Sequence, residues 1–136
     1  MTQEHATYGF GTTLNLPVAQ AIERVTAALK DEGFGVLTTI DVQHTLKQKL
    51  DIDGEPYVIL GACNPHLAHQ ALTAVPDIGL LLPCNVVVRR ADGATRVEIA
   101  DPVAMLGIVQ QPALDQLAQE ARTRLQRVLH RMESGA

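Results

Sequence analysis

The chain has 136 residues and a formal charge of −4, and apolar residues supply 46% of it with aromatics only 3%. That length suits one domain, residues 1–136, with a core of Leu, Val, Ile and Ala that needs neither disulfides nor a structural metal. The acidic balance and the lack of a dense Lys/Arg cluster exclude a phosphate-tracking surface, so nucleic acid is not an expected partner. Apolar runs such as residues 78–82 are far shorter than the roughly 20 residues a membrane helix takes, so no membrane association is expected either. The polar opening Met1-Thr2-Gln3-Glu4-His5 carries no export signal, which gives a cytoplasmic expectation with reduced cysteines.

Taken in order, Tyr8, Phe10, Thr12 and Leu14 alternate with small or polar neighbours, which predicts a strand over residues 6–14. Pro17 opens a helix to about residue 32, with Val18, Ala21, Ile22, Val25, Ala28 and Leu29 as its buried stripe and Gly33 as its stop. Residues 35–40 read as a second strand with Val36, Thr38 and Ile40 on one face. Val42, Leu46 and Leu50 then recur at fourfold spacing, predicting a short helix over a sheet edge, with Lys47 and Lys49 available to an anion. Solvated lysines are the plainer interpretation. Asp51-Ile52-Asp53-Gly54 only begins like a calcium loop, because the later ligand positions hold Tyr57, Ile59 and Gly61.

The informative stretch follows. Residues 57–60 have strand composition, and Gly61-Ala62-Cys63-Asn64-Pro65 places a capping Asn before a proline at the first helical position. Cys63 therefore lies where a strand hands over to a helix. Free amides and the positive helix end favour a thiolate there, so Cys63 is a candidate activated thiol. Against this stands the ordinary role of cysteine as a small buried packing residue. The next helix buries Leu67, Ala68, Ala71, Leu72 and Val75 and stops at Pro76, leaving His66 and His69 outside. Cys63, His66 and His69 make a poor zinc pattern without a paired Cys-x-x-Cys, so neither metal nor cofactor is expected.

Residues 79–82 and 84–90 form an apolar stretch interrupted by Pro83, the composition of a central strand, and Pro83-Cys84-Asn85 echoes the first cysteine segment. Ala91-Asp92-Gly93-Ala94 supplies a hairpin turn into a strand over residues 96–99. Asp101-Pro102 starts a short helical turn that aims Met105 inward. The last helix begins near Pro112 and buries Leu114, Leu117, Ala118, Ala121, Leu125, Val128, Leu129 and Met132. Arg122, Arg124, Arg127 and Arg131 on its other face suit its C-terminal dipole.

This order predicts an α+β fold: a split βαβ (ferredoxin-like) antiparallel sheet with an added hairpin and a C-terminal helix. The strands before and after the Cys63 helix are expected to run parallel, with another strand between them. Cys63 and Cys84 then stand roughly 15 to 20 Å apart and form no disulfide.

The segments around Cys63 and Gly79-Leu80-Leu81-Leu82-Pro83-Cys84-Asn85, with Gly33-Phe34-Gly35, Thr45-Leu46-Lys47 and Asp101-Pro102-Val103, resemble the domain of unknown function 302 family over most of the chain. The resemblance implies a small α+β domain that looks like a homodimer, and no established activity. The expected function is therefore a small-ligand binding or sensing homodimer. Its candidate site is Cys63, Asn64, Cys84, Asn85 and Lys47, and its ligand is small and anionic or polar. The alternative is a thiol-dependent enzyme or redox protein using Cys63, and whether the chain is an enzyme is left open.

Overall fold

Period-two alternation of apolar side chains on β2 (Gly9–Leu14) and β6 (Ala94–Ala100), and near-continuous apolar runs on β4 (Tyr57–Cys63) and β5 (Cys84–Ala91), make a sheet with one well-buried face. We describe residues 2–3 and 7–135 from a computed structural model. The remaining elements are β1 (Thr2–Gln3), α1 (Val18–Asp31), β3 (Gly35–Asp41), α2 (Val42–Leu50), α3 (Pro65–Ala74), a 3₁₀ helix (Pro76–Leu81), α4 (Pro102–Leu106) and α5 (Pro112–Glu133). Among the described residues the sheet has six strands in the order β1-β2-β6-β5-β4-β3, every neighbouring pair antiparallel. The two-residue β1 was not anticipated, and the predicted strand over residues 6–14 begins at Gly9, with Ala6 outside the described residues.

Four antiparallel steps leave β2 and β3 parallel to each other, joined by α1 and separated by β6, β5 and β4. That is the split βαβ, with three strands inserted where a ferredoxin-like unit has one. One expected relationship is overturned. The strands flanking α3 are not parallel: β4 and β5 are antiparallel neighbours, with Ala62 opposite Cys84. The chain leaves the sheet at Cys63, runs out along α3, and is brought back by the 3₁₀ helix to enter β5 beside the strand it left. The apolar residues 79–82, expected to be part of a strand, supply most of that return.

Phe10, Leu60, Ala62, Val86, Val88, Val97 and Ile99 point from the sheet into one core with Ala21, Val25, Ala28 and Leu29 of α1 and Ala121, Leu125, Val128, Leu129 and Met132 of α5. The final helix thus covers the same sheet face as α1 rather than the opposite one. Its arginines reach across to the end of α1 instead of serving only their own helix: Arg127 pairs with Glu32 at 2.8 Å and Arg131 with Asp31. Arg124 Nη1 also donates to the Glu32 carbonyl at 3.1 Å. Gly33, at φ 85°, ends α1 with its amide bonded to Lys30 and that of Phe34 to Leu29, the left-handed stop for which glycine is suited.

A smaller apolar cluster of Ala71, Ile78 and Leu114, with Leu81, Leu82, Leu106 and Leu117 packed on it, sits beyond the end of β4. On the other side of the sheet, Arg89 pairs with Glu98 at 2.9 Å, and Arg96, almost wholly buried, lies 3.6 Å from the same carboxylate and bonds Thr13. A bulge between Val36 and Thr38 breaks the predicted common face of β3: Val36 packs on the core, while Thr38 pairs with Gly61 and Ile40 with Ile59.

Candidate functional site

The first cysteine segment folds as its residue types require. Gly61 is held between Thr38 and Pro83: a Cβ there would overlap Thr38 Oγ1 and come within 2.9 Å of Pro83 Cγ. Only glycine lets that ring lie against β4. Cys63 is the last residue of the strand, Asn64 Oδ1 accepts from the Leu67 amide at 3.1 Å, and Pro65 occupies the first helical position. The amide end of Asn64 faces Gly33, so the start of α3 rests on the end of α1.

Because β4 and β5 are adjacent, the two cysteine segments meet. Cys63, Asn64, Cys84 and Asn85 line a single cavity of about 70 Å³, enclosed by Phe34, Ala62, Leu67, Ala68, Leu82, Pro83, Met105, Leu106 and Leu117. It lies where the main core meets the smaller cluster. The distance of 15 to 20 Å expected between the cysteines is overturned by the register, which puts Cys63 one residue past the partner of Cys84. Both are free thiols. Asn64 is buried and occupied with its cap, whereas Asn85 is exposed at the rim.

Lys47 does not join them. Its ammonium pairs with Asp51 at 2.9 Å and Asp53 at 3.1 Å, and those two hydrogen bonds raise its pKa. The acidic pair that resembled a calcium loop thus holds a lysine. His66 and His69 lie exposed on α3, and among the described residues no group of three or more His, Cys, Asp or Glu converges.

The electrostatics run against an activated thiol. Burial pushes the Cys63 thiol up, and burial followed by the neighbouring Cys63 pushes Cys84 up to about 11. Desolvation of the charged form outweighs the helix end here. No Asp, Glu, His, Lys or Arg lines the cavity. Sequence reasoning missed the walls from Leu82, Met105, Leu106 and Leu117, apart from the inward aim of Met105, because no local pattern says which distant apolar residues converge. A wider groove of about 410 Å³ on the other side of the sheet, with Tyr8, Tyr57, Arg96 and Glu98, shares Asn85, Ala100 and Met105 with the cavity.

The match to known proteins is to a family without an assigned activity. The family model described as domain of unknown function DUF302 matches residues 10–132. The chain belongs to that family. A crystal structure of an uncharacterized conserved DUF302 protein from Bacillus stearothermophilus is similar at 34% identity and TM-score 0.86, over 93% of this chain and 98% of that one. No curated protein matches. No helix among the described residues is long and apolar enough to cross a membrane.

Proposed function

We propose that the chain is a small-ligand binding or sensing module that acts as a homodimer, with the ligand held between the two cysteine segments. The observation that carries this reading is the cavity shared by Cys63, Asn64, Cys84 and Asn85. Its size suits a ligand of a few heavy atoms, since typical drug-sized sites are several times larger. Its lining favours a neutral molecule over the anion expected from Lys47, because no cation faces it. Thiol catalysis by Cys63 is the weaker reading: both thiols stay protonated at neutral pH and no base lines the cavity.

The test is methyl-detected NMR of the chain under xenon pressure. Xenon is expected to shift the Met105 and Leu117 methyl signals, and Ala68→Leu, which fills the cavity, is expected to remove the response. Unperturbed methyl signals in a folded protein would sink the reading. Support for the dimer comes from α2. It has an apolar stripe but no buried residue, and Leu37, Ile40, Leu46, Leu50 and Ile52 are five of the nine exposed large apolar side chains among the described residues. A second copy is the occupant proposed for that patch.

A further inference from the structure

We propose that Cys63, Cys84 and Met105 form a binding site for a soft monovalent metal ion of the copper(I) type. The inference rests on the cavity being a ligand site and names the class of ligand. Two thiols and one thioether line the same small cavity, and no hard oxygen or imidazole donor with a charge competes there. Sulfur-only donors select soft ions such as copper(I). Zinc in a structural site takes four donors, and only two thiolates are available here.

Register explains why the pair suits a bridging ion better than a bond to each other. Cys63 is one residue out of step with Cys84, and neighbouring positions of a pleated strand face opposite ways. A disulfide needs sulfurs about 2 Å apart and converging Cβ atoms. An ion between them spreads the sulfurs to as much as about 4.6 Å, twice a metal–sulfur bond of about 2.3 Å. Binding exchanges two S–H bonds for two S–Cu bonds and releases two protons, with no change of oxidation state. The complex carries one negative charge, which the adjacent N-terminus of the ten-residue α3 offsets.

The test is anaerobic titration of the reduced chain with copper(I) supplied as its bicinchoninate complex, followed by loss of the complex's colour. One copper(I) per chain is expected to be withdrawn, with apparent affinity falling about a hundredfold per pH unit of acidification, as two released protons require. Cys63→Ser and Cys84→Ser are each expected to weaken binding at least about a hundredfold, and Met105→Leu about tenfold. Failure to withdraw copper, a slope of one proton or none, or folded serine variants that bind like the parent would overturn the site. If a serine variant does not fold by circular dichroism, the proton slope of the parent and the Met105→Leu result decide. A chain that responds to xenon but not to copper(I) keeps its cavity reading and loses this one. A chain that responds to neither loses both.

Discussion

At the scale of single residues, the close packing of Gly61 sets the first expectation. Gly61→Ala forces Pro83 or Thr38 to move, and overpacking of this kind costs about 1–3 kcal/mol. Urea unfolding measures it, and an unchanged midpoint with unchanged slope would show that the neighbours yield freely. The thiols set a second expectation. The folded chain keeps the Cys84 proton until about pH 11, whereas the unfolded chain releases it near the ordinary thiol value, below that of the fold. The native state then binds more protons, so stability falls as pH rises through that window, by about 1.4 kcal/mol per unit. The contribution is fully present at neutral pH. Comparing urea midpoints of parent and Cys84→Ser from about pH 8 to about pH 11 isolates it, because lysines and tyrosines are common to both. In the same window iodoacetamide is expected to modify both thiols slowly at neutral pH, with Cys63 ahead of Cys84.

At the scale of elements, α2 is the helix that its own chain does not bury. Replacing Leu46 and Leu50 by Glu is expected to convert a dimer to a monomer in sedimentation at low micromolar concentration, while changing the stability of the single chain by less than about 0.5 kcal/mol per site. A double variant that still sediments as a dimer places the interface elsewhere. The elements themselves were largely readable: α1, α2, α3 and α5 announced themselves by stripe and cap, as in Asn64-Pro65, where local chemistry suffices. Their arrangement was harder. An apolar run such as residues 79–82 is compatible with strand or 3₁₀ helix, and what decides is whether the chain must turn back, which is a tertiary matter. The right-handed rule for parallel crossovers was applied to strands that are antiparallel, so the cysteines were put far apart while the segments holding them were picked out correctly. Lys47 was misplaced for a related reason, since its partners Asp51 and Asp53 had been considered only as calcium ligands.

For the whole molecule, the division of the apolar interior into a large cluster and a small one governs access to the cavity between them. The strands β5 and β6 are tied to neighbours on both sides and to the large cluster, whereas the return segment and α4 depend on the contacts of Ala71, Ile78 and Leu114. A unit with so little buried surface opens at lower free energy than the whole domain. Amides of Ile78, Leu82 and Val109 are therefore expected to exchange with deuterium by a local opening that denaturant barely affects, while those of Val86 and Val97 exchange only through global unfolding. Equal protection in the two sets would contradict this. A roof that opens independently makes entry a matter of how often it is open. Its closing then lengthens the residence time of a ligand already inside, so a small, enclosed cavity can take up its ligand without a permanent channel through the fold.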